Sequence, residues 1–305
     1  MGLASLACGL LLSLLLGQEP GLVLRTGVSL IRVDAQVLQG DQAVSDLNQE
    51  DFQVKDNGVR QRILYFGREE DSVDLVLVLD TSGSMKAAME EVSQAANEAL
   101  RQLKDGDRVA VSRFTLRSRL VQPLTLDRNA IEQAIETICS QPFRGGTNIH
   151  RALESVADHL TGQRREARRR AVLIISDGIS PKSSREISVL KKLWEADAVL
   201  HALVVKPPGY TLLLRTPFGR VDLPKLAEKT GGSVIRANQA GEGFRQMIDR
   251  IRRRYSLHYA LPVGNEGEHR KISVELDSAA KKRFPGARVY SRKGYIWTVP
   301  AQSGS

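Results

Sequence analysis

Cysteine is almost missing from this chain of 305 residues: only Cys8 and Cys139 occur. Cys8 lies in an apolar N-terminal stretch that reads as a leader, so the mature chain keeps one thiol and forms no internal disulfide. Cys139 falls on the apolar side of an expected helix and reads as a small buried hydrophobe. A nucleophilic role would need a neighbouring histidine or cation, and the sequence places none beside it. Aromatic residues are only 5% of the chain, and no Lys/Arg tract alternates with them. That argues against a groove for single-stranded nucleic acid, where bases need stacking platforms. The five histidines, at 150, 159, 201, 258 and 269, are scattered, and His150 reads as a solvated helix position. There is no Gly-x-Ser-x-Gly elbow, phosphate loop, internal repeat or low-complexity segment. After the leader, no apolar run is long enough to span a membrane.

The composition that remains is that of a soluble globular protein, 42% hydrophobic and 26% charged, with room for one large domain and smaller ones. A formal charge of +9 hints at acidic partners. Residues 1–18 are read as a signal peptide: the run at 3–17 has the length of an apolar leader core, with cleavage near 17–20. The expectation is export to the periplasm, the cell surface or the medium. An uncleaved N-terminal anchor is the other reading of that run.

Three regions follow. In residues 27–70, Val28, Leu30, Ile31, Val33, Ala35 and Val37 largely alternate with polar residues, and Asp56-Asn57-Gly58 marks a hairpin between residues 52–54 and 61–66. Residues 72–255 alternate strands and helices. Strands are expected at 73–80, 108–114, 117–124 (near an edge), 171–177, 198–205 and 233–236, and helices at 86–104, 127–139, 147–160, 183–196, 224–229 and 243–254. Such alternation predicts an α/β fold with a doubly wound, mostly parallel sheet. Residues 206–220, rich in Pro and Gly, read as a long loop or hairpin insertion. Residues 256–299 return to short strands, with loops expected at 262–269 and 278–285. Each β flank is too small to stand alone, so the two are expected to pack together as one small β-sandwich.

The stretch at residues 75–85, Leu-Val-Leu-Val-Leu-Asp-Thr-Ser-Gly-Ser-Met, organises the chain. A buried strand ends there in Asp80, Ser82 and Ser84, at the sheet edge where open α/β folds bind ligands. On this stretch alone, the same residues serve equally well as a helix cap. Two further loops should emerge at that edge, Gly145-Gly146-Thr147 and Asp177-Gly178. Together they offer two carboxylates and three hydroxyls, an oxygen set that suits a hard divalent cation.

The pattern Asp80-x-Ser82-x-Ser84, then Thr147, then Asp177 resembles the von Willebrand factor type A domain and its metal-ion-dependent adhesion site, over about residues 74–255. The resemblance implies Ser82, Ser84 and Thr147 as hydroxyl ligands, with Asp80 and Asp177 acting mostly through water. It implies magnesium, manganese or calcium as the ion and a partner that completes the metal shell with a carboxylate. It also implies that ligation shifts the last helix, residues 243–254. Asp51-Phe52-x-Val54-x-Asp56-x-Gly58 and the Gly294-Tyr295 ending are similar to a group of bacterial secreted proteins carrying this domain.

The chain is therefore expected to bind rather than catalyse, with no nucleic-acid partner. Two alternatives stand beside this reading. One is a hydrolase or phosphatase using Asp80 as nucleophile, although Ser82 stands where a phosphatase of the haloacid-dehalogenase type has a second Asp. The other is a basic surface for polyanions at Arg164, Arg165, Arg168, Arg169 and Arg170, residues that otherwise read as a solvated helix end and loop.

Overall fold

The apolar run at 73–79 is buried on both faces, which is why it shows no alternation. Val73, Leu75, Leu77 and Leu79 enter one hydrophobic cluster, and Val76 and Val78 enter a second across the sheet. The computed structural model describes residues 29–68, 71–163, 168–181, 185–205 and 221–298. The leader, Arg164, Arg165 and the insertion at 206–220 lie outside the described residues.

In chain order the first flank forms β1 (Leu30–Gln39), β2 (Gln42–Ala43), β3 (Phe52–Asp56), β4 (Val59–Gln61) and β5 (Ile63–Arg68). The α/β unit follows with β6 (Val73–Asp80), α1 (Lys86–Leu100), β7 (Arg108–Phe114), β8 (Ser118–Thr125), α2 (Arg128–Cys139), α3 (Ile149–Thr161) and β9 (Arg169–Ser176). It closes with α4 (Glu186–Glu195), β10 (Ala198–Val205), α5 (Leu223–Thr230), β11 (Val234–Ala237) and α6 (Ala240–Arg252). The second flank forms β12 (Tyr255–Ala260), β13 (His269–Leu276), α7 (Ser278–Arg283), β14 (Arg288–Ser291) and β15 (Gly294–Ile296).

The central sheet has the order β11-β10-β9-β6-β7-β8. Every neighbouring pair is parallel except β7 with the edge strand β8. Met89 of α1, Ile131 of α2 and Phe244 of α6 pack on one face. Leu153 of α3, Leu193 of α4 and Leu226 of α5 pack on the other. The fold is thus the doubly wound α/β sheet expected from the alternation. The chain works outward from β6 in both directions, so the β6–β9 boundary is a topological switch point.

The flanks interleave. One antiparallel sheet runs β14-β1-β12-β5 with β2 on β1, and another runs β15-β13-β3-β4, so each takes strands from both ends of the chain. Val33, Val37, Leu257 and Tyr259 of the first share one core with Phe52, Val54, Ile272 and Val274 of the second. Inside it, the fully buried Asp56 accepts from Tyr259 Oη at 2.8 Å, Tyr295 Oη at 2.9 Å and Arg270 Nε at 2.8 Å. The short motifs at 51–58 and 294–295, from opposite ends of the chain, meet on this carboxylate.

Polar contacts weld the sandwich to the α/β unit. Asp197 receives Arg32 from the first flank at 2.9 Å and Arg292 from the second at 2.7 Å. Arg254 is buried and donates to the carbonyls of Gly231, Tyr290 and Asp34. Gly231 ends α5 with φ +86°, and a Cβ there would lie 2.3 Å from the amide nitrogen of Arg292. Only glycine lets the second flank approach so closely.

Several expectations need correction. Residues 278–283 form α7 rather than a loop, because Asp277 caps Ala280 N at 2.7 Å and opens an Ala/Lys/Arg run. The expected strand at 61–66 is broken at Arg62, where the chain passes from β4 in one sheet to β5 in the other. The first helix ends at Leu100. His150 is 1% exposed and not solvated. The described arginines of the basic cluster turn inward: Arg169 donates to Ile251 O, Arg170 to Ala196 O, and Arg168 to Asp74 and Gly106 O.

Asp74, 1% exposed at the start of β6, takes both carboxylate contacts from Arg108, at 2.9 and 2.8 Å, and a third from Arg168 at 2.7 Å. Burial alone would raise its pKa, but the two guanidinium groups outweigh it and hold the carboxyl below its usual value. The folded chain therefore binds fewer protons here than the unfolded chain. The resulting stabilisation is complete above about pH 4 and is lost as pH falls through the depressed value. Asp74→Asn, which strands two guanidinium groups, should cost about 3 kcal/mol in urea denaturation at neutral pH. The gap from the parent should narrow below about pH 4; a gap unchanged in acid would sink the ion-pair account.

Candidate metal centre

β6 and β9 lie side by side in register, with Leu79 opposite Ile175, so both strands deliver their polar ends to the switch point together. Asp80, 0% exposed, accepts from Ser176 Oγ at 2.6 Å on one oxygen and from Ser82 N at 3.0 Å on the other. After Asp80 the chain is held to the neighbouring strand, since Thr81 gives both its amide and its hydroxyl to Phe114 O. Ser82 is extended and a tight 3-10 turn follows at Gly83–Met85, with Met85 fully buried as its anchor.

That turn brings Ser82 Oγ and Ser84 Oγ to 3.4 Å of each other. Ser84 Oγ donates to Asp177 Oδ2 at 2.7 Å, and Asp177 Oδ1 accepts from Ile179 N at 2.9 Å. Gly178 makes the intervening bend with φ +73°. Ser82 occupies the N-cap position, yet its side chain makes no cap hydrogen bond. The helix-cap reading of this stretch therefore fails on geometry.

Thr147 joins through its backbone. Ser180 Oγ, 2% exposed at the residue level, donates to Thr147 O at 3.2 Å and accepts from Ile149 N at 3.2 Å, tying the Thr147 loop to the Asp177 loop. Asn148 caps α3 through Arg151 N, and its own amide donates to Thr115 O at 2.9 Å. Asp80, Ser82, Ser84 and Asp177 thus form one bonded cluster, with Thr147 fastened beside it.

Ser176 and Ser180 were not singled out from the sequence. The first had a signal, a hydroxyl one place before Asp177 on a strand that pairs with β6; the second had none. Cys139 is partly buried, its thiol pushed up to about 11 by burial, and it gives a hydrogen bond to Met89 O, as expected of a structural thiol.

The electrostatics of the cluster point one way. Burial pushes the Asp80 carboxyl up to about 6, its hydrogen bonds from Ser176 and Ser82 only partly offsetting the cost, and Asp177 adds repulsion. No cationic side chain answers Asp80 among its bonded neighbours. A hydroxyl that donates its hydrogen bond to a carboxylate, as Ser84 does to Asp177, keeps its oxygen lone pairs for a cation. Among the described residues no group of three His, Cys, Asp or Glu side chains gathers as a metal cluster. The donor set here is oxygen only and mostly neutral, which fits a hard divalent ion rather than one that seeks nitrogen or sulfur.

No curated protein matches the sequence. Among solved structures, an aerotolerance-related membrane protein from Bacteroides fragilis is 17% identical over 59% of this chain and 98% of its own, with a TM-score of 0.46. A von Willebrand factor type A protein from Catenulispora acidiphila is 15% identical over 90% of this chain and 76% of its own, at 0.49. Proximal thread matrix protein 1 from the mussel byssus, solved with a zinc-occupied MIDAS motif, is 16% identical over 61% of this chain and 49% of its own, at 0.47. Residues 75–179 match the family model of the von Willebrand factor type A domain, and the α/β unit that contains them has that fold.

Proposed function

We propose that this chain is a divalent-cation-dependent binding module, not an enzyme, and that it captures a partner through a carboxylate. The observation that carries the reading is Asp80, fully buried with no cationic hydrogen-bond partner among the described residues, beside the hydroxyls of Ser82, Ser84 and Ser176 and the carboxylate of Asp177. Ser82, Ser84 and Thr147 would hold the ion, with Asp80 and Asp177 supplying negative charge. When bound, magnesium, manganese or calcium would offer a positively charged position to a carboxylate from outside. Mostly neutral ligands leave that position electrophilic.

The alternatives have less support. Both Asp80 oxygens already accept hydrogen bonds and the side chain is sealed from solvent, which disfavours a nucleophile. Three of the five arginines proposed for polyanions are committed to carbonyl or carboxylate partners inside the protein. Among the described residues no helix is long and apolar enough to cross a membrane. With the leader-like run at 3–17 and the bacterial resemblance of the flank motifs, that supports export as the place of action.

Thermal melting of the full chain in magnesium and in chelator tests the reading directly. Magnesium at a hundredfold excess over its dissociation constant should add about 2.7 kcal/mol of stability, and chelator should remove it. Asp80→Ala should abolish the response. Equal melting temperatures in magnesium, manganese, calcium and chelator at all concentrations would defeat the proposal.

Ser176→Ala probes positioning. The variant keeps every proposed ligand but releases Asp80 Oδ2, and its magnesium affinity should fall about tenfold or more. An unchanged midpoint in a magnesium titration would remove Ser176 from the site.

A further inference from the structure

The rim of the candidate centre has a chemistry of its own. The β7–β8 hairpin tip is pinned to the Thr147 loop: Asn148 N donates to Thr115 O at 2.9 Å, and Thr115 N donates to Arg117 O at 3.0 Å. At the apex, Leu116 is 58% exposed. It lies over Gly146, whose added Cβ would stand 3.3 Å from Leu116 Cδ2, and Gly146 immediately precedes Thr147. Tight tips favour Gly, Asn, Asp and Ser, so local turn chemistry does not call for this leucine. It is an exposed apolar knob beside the Thr147 loop.

The loop segments at the centre, 82–86, 115–117 and 143–147, carry Lys86, Arg117 and Arg144. Lys86, Arg117 and Arg144 are exposed and form no ion pair among the described residues. A rim of this kind repels cationic surfaces and steers acidic ones.

We propose that this rim selects an acidic polypeptide segment in which an aliphatic side chain stands beside the carboxylate that enters the centre. The aliphatic group covers Leu116, and further acidic side chains meet Arg117 and Arg144. A polyanion without apolar groups satisfies the arginines but leaves Leu116 in water, which favours a polypeptide. The inference rests on the metal-dependent reading above.

A displayed library of random dodecapeptides, bound to the full chain in magnesium and eluted with chelator, tests it. The eluted pool should be enriched in Asp or Glu next to Leu, Ile, Val or Met, with additional acids nearby. Leu116→Ser should lose the aliphatic enrichment while keeping the acid, and should bind a selected peptide about tenfold more weakly. Arg117→Glu with Arg144→Glu should remove the additional acids. Both variants should keep the magnesium-dependent melting shift, which shows that they fold and hold the ion. An acid-enriched pool with no aliphatic preference, or one that Leu116→Ser leaves unchanged, overturns the inference alone. An empty chelator-eluted pool with no magnesium melting shift overturns the metal-dependent reading and this inference with it.

Discussion

One strand carries two buried aspartates with opposite fates, and the molecule is arranged around that contrast. Asp74 opens β6 and is gripped by Arg108 and Arg168, so its carboxyl is held below the usual range. Asp80 closes the same strand with hydroxyl and amide donors only, and burial pushes it up to about 6. A buried carboxylate without a counter-charge is expensive, and a fold that retains one has a use for the field it makes. The switch point between β6 and β9 places that field at the sheet edge, with Ser82 and Ser84 beside it and the Thr147 loop tied alongside through Ser180.

The rest of the architecture keeps that edge in register from a distance. The two flanks build a single sandwich, and α6 runs almost directly into its strand β12. The carboxyl end of α6 is tied down from several sides: Gln36 Nε2 donates to Arg250 O at 2.7 Å, Arg169 to Ile251 O at 2.7 Å, and Arg252 reaches Asp107 at 3.1 Å. A ligand-linked displacement of this helix, as the family resemblance implies, would have to break those contacts or carry the sandwich with it. The flanks thus hold the carboxyl end of α6, which packs beside α1 on one face of the central sheet.

The α/β fold was legible because its signals are local. Long apolar runs with acidic ends identify central strands, Asp127 caps its helix as expected, and two of the site loops follow strands while the third precedes α3. The errors share a cause. Arg169, Arg170 and His150 were assigned to solvent because charged and polar residues usually lie there. What puts them inside is the docking of the sandwich and the packing of neighbouring helices, which no local pattern encodes. The break at Arg62 is similar: the residues on both sides are good strand formers, and only three-dimensional pairing divides them between two sheets. Ser180 lies in a loop without periodicity, and its role exists only once Thr147 is brought against it.

The basic rim and the acidic pocket oppose one another for a bare cation and cooperate for a liganded one. Under the proposed function Asp80 and Asp177 would draw a divalent ion inward, while the exposed Lys86, Arg117 and Arg144 would raise the positive potential it must cross. On the proposed reading, an incoming carboxylate would reverse that balance, because the rim would attract it and it would fill the position the ion leaves open. Ion and ligand then strengthen each other's binding by the same factor, as linkage requires. On that reading the site would hold its metal weakly alone and firmly in a complex, and the state of the ion would report whether the partner is present.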